Sequence, residues 1–422
     1  MVFLPRLALV ALLLSAACAV HAQGLYSVLD LGTLGGTTSA GNAINENGEV
    51  TGTAYLPEDA GQNAFLTGPD GAKPLQPLGT LGGTESFGQG IDATRRVAGS
   101  SRLEGDAAFR AFLSGPDGGA LMNLGTLGGS NSYGVGVNGA GQVAGYSLVS
   151  GNAITHAFLS APGGGALKDL GALVPAASSF AAGVNASGQV TGYSGTANGN
   201  RAFISEPNGG ALRDLGTLGG RFSFGTAINN GGQVTGRSET STIGQHAFRS
   251  GPNGGPLLDL GTLGGFSSFG LGINNSGVVV GYSYLSDNIA QHAFLYRTDL
   301  GMIDLNAQLV SGTGWTLVEA RAINDRGQIT GVGMIGGQTH AYLLTPVPNA
   351  LRITSIRRLE NGHVLIRGEG TPAQQYAVQA ANDLKSPFVQ LATMVAANDG
   401  TLQFEDSDAS NFPRRFYRFV AP

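Results

Sequence analysis

The chain has very few lysines and a single cysteine. Cys18 lies close to the amino terminus, and the three lysines are Lys73, Lys168 and Lys385. Only 12% of the 422 residues are charged, the net charge is −5, and no basic stripe is present. Because nucleic-acid binding needs such a stripe to neutralise phosphates, we expect no nucleic-acid partner. The lack of disulfides does not exclude a secreted protein, since a large core can form without them.

The amino terminus has the composition of an export signal. In "MVFLPRLALVALLLSAACAVHAQG", one arginine precedes an apolar run that ends in Val20-His21-Ala22, a small-residue cleavage site. This pattern predicts a signal peptide at 1–22, a mature chain from Gln23, and a secreted protein, extracellular or periplasmic. Lipid attachment at Cys18 is the alternative, disfavoured because Ser15 stands where lipoproteins have leucine. No other apolar segment approaches ~18 residues, so no membrane span is expected.

One phrase recurs along the chain at a fixed period. "LGTLGG" occurs at 31–36, 78–83, 124–129, 215–220 and 260–265, with altered copies at 170–175 and 305–310. Such a period predicts a repeat architecture. Each unit also contains three more extended segments, separated by Gly- and Asn-rich turns, and no helical periodicity. The pattern predicts four antiparallel strands per unit, which we name a to d, with "DLG" ending strand d.

The ends of the repeat array indicate how it closes. A strand d stands alone at 25–32 before any a–b–c set, and the last set, ending near Leu344, has no strand d after it. A ring can close by pairing that first strand with the last three. We therefore predict an all-β fold with a seven-bladed β-propeller at 23–347, closed by its N-terminal strand; a β-solenoid is the alternative. Small residues in strand a, such as Gly88 and Gly90, indicate that it is innermost.

The repeats also resemble a known family. The "HAF" triplets, such as His156-Ala157-Phe158, the "IN-x-x-G-x-V-x-G" hairpins and "DLGTLGG" resemble the bacterial extracellular HAF-repeat proteins over about 23–347. The resemblance implies a secreted bacterial protein but no settled activity. Two departures are Arg95, in place of a hairpin glycine, and "LGALVP" in place of "LGTLGG".

The period stops near residue 348. Six extended segments in 348–422 predict a small C-terminal β-sandwich. Two of them, "QQYAVQAANDLKSPF" and "FPRRFYRFVAP", resemble a C-terminal module of secreted bacterial proteins. Arg414, Arg415 and Arg418 are interpreted as alternating surface charges on the final strand.

Few residues suggest chemistry. No cysteine remains after signal cleavage and no G-x-S-x-G occurs, so we expect no catalytic residue, metal or cofactor. The His position of "HAF" includes arginine, which does not bind metals, and we expect it to donate a structural hydrogen bond to a neighbouring blade. Its occupants are Asn63, Arg110, His156, Arg201, His246, His292 and His340. The acids outside the repeat pattern are Glu85, Glu104, Asp106, Glu239, Asp287 and Glu319.

The most variable segments are the b–c loops, which should share one face of the ring with the d-to-a crossings. The sequence therefore predicts a secreted, non-catalytic binding or scaffold protein that uses this b–c loop face. Its partner would be an extracellular ligand such as a polysaccharide or a cell-surface component. The alternative is a glycan-active hydrolase or lyase with acids in the same face, and a surface structural protein is a third possibility. Trp315 is expected to pack where the ring closes.

Overall fold

A computed structural model describes residues 26–310, 313–347, 351–370, 374–383, 386–397 and 400–420. The predicted signal peptide at 1–22, with Cys18 and the cleavage site before Gln23, lies outside these described residues. In the described part, no helix has the length and apolar composition needed to cross a membrane. Its helices are short 3-10 turns at Pro57–Asp59, Pro69–Gly71, Glu104–Asp106, Pro116–Gly118, Pro162–Gly164, Leu305–Gln308 and Ala409–Asn411.

The described residues up to 347 form seven antiparallel sheets of four strands each. We call each sheet a blade, number the blades along the chain, and name their strands a to d across the sheet. The strands, in the order a to d, are Ser39–Ile44, Val50–Tyr55, Gln62–Leu66 and Gln76–Pro77 in blade 1; Gly82–Ile91, Val97–Leu103, Phe109–Ser114 and Leu121–Asn123 in blade 2; Gly128–Val137, Val143–Val149, Thr155–Ser160 and Leu167–Asp169 in blade 3; Ser179–Val184, Val190–Thr196, Gly199–Ser205 and Leu212–Asp214 in blade 4; Gly219–Ile228, Val234–Thr240, Gln245–Ser250 and Leu257–Asp259 in blade 5; Gly264–Ile273, Val279–Leu285, Gln291–Arg297 and Gly301–Asp304 in blade 6; and Trp315–Ile323, Ile329–Ile335, Gln338–Pro346 and Tyr26–Gly32 in blade 7.

The chain closes on itself through blade 7. Its strand d is the N-terminal segment, which pairs antiparallel with strand c from Tyr26 opposite Pro346 to Asp30 opposite Tyr342. Strand a of blade 7 in turn contacts strand a of blade 1. The β-propeller prediction and its closure by the N-terminal strand are therefore confirmed, and the open β-solenoid is not the fold.

The recurring "LGTLGG" phrase forms the crossing between blades. Its glycines are required by backbone conformation or by close approach, and its threonine makes a hydrogen bond. In the copy that leads into blade 2, Gly79 has φ +72° and Gly82 has φ +106°, a region that favours glycine. The Thr80 hydroxyl donates to the carbonyl of Gly83 at 2.7 Å. A β-carbon on Gly83 would lie 2.5 Å from the carbonyl oxygen of Leu103. Replacing any of these glycines therefore strains the crossing.

A serine in strand a fastens six of the seven crossings to the preceding blade. The Ser86 hydroxyl donates to the carbonyl of Gly79 at 2.6 Å and accepts the amide of Ala64, in strand c of blade 1, at 2.9 Å. That alanine belongs to the "HAF" position of its blade, and the following Phe65 is fully buried. Ser39, Ser132, Ser179, Ser223 and Ser268 make the same pair of contacts.

Strand a is innermost, as predicted. A β-carbon on Gly90 of blade 2 would lie 2.8 Å from the α-carbon of Gly136 in blade 3, so neighbouring inner strands approach too closely for larger residues.

A ring of asparagine side chains joins the inner strands from blade to blade. The Asn138 amide donates to Gln142 Oε1 at 2.9 Å and to the carbonyl of Asn185, in the next blade, at 3.1 Å. The same blade-to-blade donation is made by Asn45, Asn185, Asn229, Asn274 and Asn324, the last of which reaches Asn45 and closes the ring. Blade 2 has Asp92 at this position, and there Arg96 pairs with the carboxylate and donates to Gly139 in the next blade at 3.1 Å.

The C-terminal region contains the six predicted strands. They are Arg352–Arg358, Val364–Glu369, Gln375–Ala381, Val389–Val395, Thr401–Asp406 and Phe416–Val420. The first, second and fifth form one three-stranded sheet, and the other three form a second one. Buried residues of both sheets, including Ile366, Val378 and Phe419, pack into one core, as in a small β-sandwich. The predicted boundary at 347/348 adjoins residues 348–350, which lie outside the described part.

Candidate functional site

Five of the six candidate acids make local contacts. Asp106 accepts the amide of Thr84 at 2.9 Å and ties the b–c loop of blade 2 to the start of its strand a. Glu239 accepts the amide of Arg221 at 2.9 Å and ties the end of strand b of blade 5 to the start of its strand a. Asp287 accepts the amide of Ile289 within its own loop at 2.9 Å.

Of the remaining three acids, Glu85 and Glu104 lie in blade 2 together with Asp106, and Glu319 lies in blade 7. Glu85 pairs with Arg102 at 2.9 Å and Glu319 with Arg321 at 2.8 Å, while Glu104 is exposed on a 3-10 turn. These contacts give structural roles to five of the six acids.

The His position of "HAF" forms a latch between strands c and d of one blade. Its Nδ1 contacts the aspartate of "DLG" at 2.7–3.0 Å in His156–Asp169, His246–Asp259, His292–Asp304 and His340–Asp30. The prediction of a bond to a neighbouring blade is therefore wrong for the histidines. It is correct for Arg110 and Arg201, which donate to the carbonyls of Ser130 and Arg221 in the next blade. No group of three or more metal-binding side chains occurs among the described residues.

The predictions for Trp315 and for the three C-terminal arginines have different outcomes. Trp315 packs edge-on against Tyr342, with ring centroids 6.0 Å apart, in the core of blade 7, as predicted for a packing residue. Arg415 is not a surface charge: its side chain is 12% exposed and lies 3.1 Å from the carboxylate of Asp406. Arg414 and Arg418 are exposed, as expected.

A run of half-buried aromatic rings lies along the inner strands. In blades 3, 4 and 6 one ring comes from strand a and the ring opposite it from strand b, as for Tyr133 and Tyr146. Blade 2 has Phe87 in strand a and Phe109 in strand c, blade 5 has Phe224 in strand a, and Tyr284 is a second ring of strand b in blade 6. The Tyr133 ring of blade 3 stacks on Tyr146 of its own blade and also contacts Phe109 of blade 2, with centroids 5.4 Å apart. We call this set the aromatic belt: Phe87, Phe109, Tyr133, Tyr146, Phe180, Tyr193, Phe224, Phe269, Tyr282 and Tyr284.

The belt is continuous through blades 2 to 4 and into blade 5. Rings paired across strands a and b are close to parallel, as for Tyr133 and Tyr146 with centroids 5.0 Å apart, or Phe180 and Tyr193 at 4.9 Å. Between blades they meet edge to face, as for Tyr146 and Phe180 at 5.3 Å. In blade 5, Arg237 continues the belt, lying over Phe224 and over Phe269 of blade 6.

Charged groups border the belt at both ends. At blade 2, Arg102 lies 4.4 Å above the Phe109 ring while pairing with Glu85. In blade 7, the Glu319–Arg321 pair takes the place of rings, and Arg321 donates to Asn42 of blade 1 at 2.7 Å. The aromatic rings of the belt thus form an arc, and charged side chains occupy both of its ends.

Burial raises the pKa of Tyr133, Tyr146, Tyr193 and Tyr282. Their hydroxyls therefore stay protonated at neutral pH and can each donate a hydrogen bond. The arrangement combines apolar ring edges with neutral donors.

The sequence reasoning missed the belt although a signal was present. Phe or Tyr precedes Gly or Ala at one fixed position of strand a in five repeats, at residues 87, 133, 180, 224 and 269. An aromatic residue that recurs at a fixed repeat position is equally consistent with packing between blades, so the sequence alone does not mark this column as a site.

Several solved structures are similar to this chain at low sequence identity. A puromycin hydrolase (S511A mutant) is 16% identical, with a TM-score of 0.47 over 80% of this chain and 59% of that chain. TolB from Acinetobacter baumannii is 11% identical, with a TM-score of 0.40 over 71% and 63%, and a prolyl endopeptidase is 9% identical, with a TM-score of 0.47 over 81% and 56%. This chain therefore spans less than two thirds of each of these chains. No family model and no curated protein matches the chain.

These neighbours correct the predicted function. They are a puromycin hydrolase, prolyl endopeptidases and TolB, and none of these names describes a glycan-active protein. The prediction of a scaffold acting through the b–c loop face, with a glycan-active hydrolase or lyase as its alternative, is wrong. The b–c loops carry anchoring contacts such as Asp106 to Thr84.

Proposed function

We propose that this protein binds an extended polypeptide segment at the inner edge of its propeller, with the aromatic belt as the binding surface. The main observation that supports this proposal is that the belt is continuous, although the fold itself does not require it. Blades 1 and 7 have Ala40, Thr53 and Val332 at belt positions and still form complete four-stranded sheets.

The chemistry of the belt favours a polypeptide. Stacked pairs such as Phe269 and Tyr282, 4.6 Å apart, already cover ring faces that a sugar would need for stacking. Ring edges and neutral tyrosine hydroxyls remain, and these suit apolar side chains and backbone carbonyls.

Location and ancestry belong to the same proposal. The N-terminal composition supports export to the periplasm or the cell exterior. The recurring "HAF" and "DLGTLGG" phrases support membership of the HAF-repeat family, with the propeller at 23–347 and the sandwich at 348–422.

A peptide selection tests the proposal. The purified protein is used to select binders from a random peptide library, and their affinities are measured by calorimetry for wild type and for the Tyr146→Leu/Tyr193→Leu variant. Loss of two hydroxyl donors should weaken binding by about tenfold or more. The matched control is Tyr55→Leu, since Tyr55 lies at the end of strand b in blade 1, outside the belt. Selected peptides that bind the double variant as tightly as wild type, or a selection without binders, would overturn the proposal.

A further inference from the structure

Arg237 is the one cation within the belt positions of strand b. It stands in blade 5 opposite Phe224. The other six blades have an uncharged residue at the same register: Thr53, Ser100, Tyr146, Tyr193, Tyr282 and Val332.

Two rings enclose the Arg237 guanidinium. Its central carbon lies 4.6 Å from the centroid of Phe224 and 5.1 Å from that of Phe269, which belongs to the next blade. The side chain is half-buried, and its Nε atom is fully buried with no hydrogen-bond partner among the described residues. The rings on both sides attract the cation, but they are poor hydrogen-bond acceptors for its N–H groups.

Other arginines at the belt are paired. Arg102 has Glu85 at 2.9 Å and Arg321 has Glu319 at 2.8 Å. Arg237 has no carboxylate partner in the part of the chain that the structure describes. A half-buried cation without an anion is unfavourable, so the site is suited to an anion supplied from outside.

We infer that Arg237 recognises a carboxylate of the polypeptide ligand, either the C-terminal carboxylate or an acidic side chain. The inference rests on the proposed function and adds the charged group that the ligand must carry. A guanidinium can hold a carboxylate through two parallel N–H bonds, and the flanking rings exclude water and strengthen that contact.

Arginine side-chain NMR tests the inference. The protein is labelled with ¹⁵N-arginine, and the Arg237 Nε–H signal is assigned from its loss in Arg237→Gln. Three probes are titrated: N-acetyl-L-phenylalanine, its amide N-acetyl-L-phenylalaninamide, and N-acetyl-L-glutamate α-amide. We expect the Arg237 signal to shift and saturate with at least one carboxylate probe, and the uncharged amide to bind at least about tenfold more weakly.

The probes distinguish the two sources of the carboxylate. Tighter binding of N-acetyl-L-phenylalanine indicates a C-terminal carboxylate, and tighter binding of the glutamate amide indicates an acidic side chain. The control variant is Arg249→Gln, because Arg249 also lies over a ring, Tyr296 at 6.0 Å, but already donates to the carbonyl of Gly277 at 2.7 Å. It should leave probe affinity unchanged.

Failure of the inference is distinct from failure of the proposed function. If the phenylalanine acid and amide bind equally, or if the Arg237 signal stays still while belt tyrosines respond, the carboxylate role is wrong and the belt proposal survives. If the carboxylate probes bind at Arg237 but belt tyrosine variants leave the affinity of the selected peptides unchanged, the belt proposal is wrong and the carboxylate role of Arg237 survives. No response of Arg237 to any probe overturns the inference.

Discussion

Replacing Asn138 with aspartate should break one link of the asparagine ring. The Asn138 side chain accepts the amides of Ala140 and Gln142, both at 3.1 Å, and aspartate can keep those two bonds. Aspartate cannot donate, so the buried carbonyl of Asn185 and the Gln142 side-chain oxygen lose their donor. A buried acceptor left unsatisfied costs about 1–3 kcal/mol, and Gln142 can turn its amide to compensate. We expect Asn138→Asp to lower the free energy of unfolding by about 2–4 kcal/mol.

Blade 2 shows how that loss can be repaired. There the aspartate is Asp92, and Arg96, at the position of Gln142, donates to its carboxylate at 2.7 Å and to the carbonyl of Gly139 at 3.1 Å. The Asn138→Asp/Gln142→Arg variant should therefore recover about 1–3 kcal/mol relative to the single variant, as charge-assisted bonds replace the lost ones.

Chemical denaturation of wild type, Asn138→Asp, Gln142→Arg and the double variant measures the coupling free energy between the two positions. The control is Asn152→Asp, because Asn152 uses only its Oδ1 oxygen, which accepts the amide of Ser130 at 2.8 Å, and an aspartate can take over that bond. It should change stability by less than about 0.5 kcal/mol. If Asn138→Asp leaves the free energy of unfolding unchanged, or if the double variant shows only the sum of the two single effects with no rescue, the role assigned to the asparagine ring is refuted.

Three further outcomes are expected. Gly83→Ala should lower the free energy of unfolding by about 2 kcal/mol or more, because its β-carbon would lie 2.5 Å from the Leu103 carbonyl, whereas Gly139→Ala, with open space around it, should be nearly neutral in the same denaturation assay. The backbone bond from Thr84 lowers the pKa of Asp106, so its stabilising effect is present above the unfolded pKa of about 3.9 and is lost as pH falls through the folded value. Asp106→Asn keeps the acceptor, so the melting-temperature difference between wild type and variant should shrink below about pH 4, and a constant difference from pH 3 to 7 would contradict this. His340→Ala should weaken the attachment of the N-terminal strand by removing the contact with Asp30 at 3.0 Å, seen as faster amide exchange in residues 26–32 than in wild type; unchanged exchange would show that the latch does not hold this strand.

Much of the architecture could be predicted from the sequence because the repeat period carries it. The solitary first strand indicated closure, and the glycines of strand a indicated the inner position, since both follow from local spacing. The partner of the His position was also visible in the sequence: histidine occurs only where strand d ends in aspartate, as in His156 and Asp169. Where strand d ends in Asn123 or Pro77, the position has Arg110 or Asn63.

The candidate site could not be assembled from spacing alone. Contacts such as Tyr146 with Phe180 join different blades, and their distance depends on the angle between sheets. The isolation of Arg237 is likewise a property of three dimensions, because its flanking rings come from two blades. The roles of the individual acids could not be assigned from the sequence, because a loop carboxylate that accepts a backbone amide looks the same in sequence as a catalytic one.

A crystal structure of the protein with a peptide from the library selection tests the central claim most directly. We expect the peptide to contact Tyr146 and Tyr193, with a carboxylate within hydrogen-bond distance of Arg237. A peptide seated on the b–c loops or on the C-terminal sheets, with the belt untouched, would contradict the account.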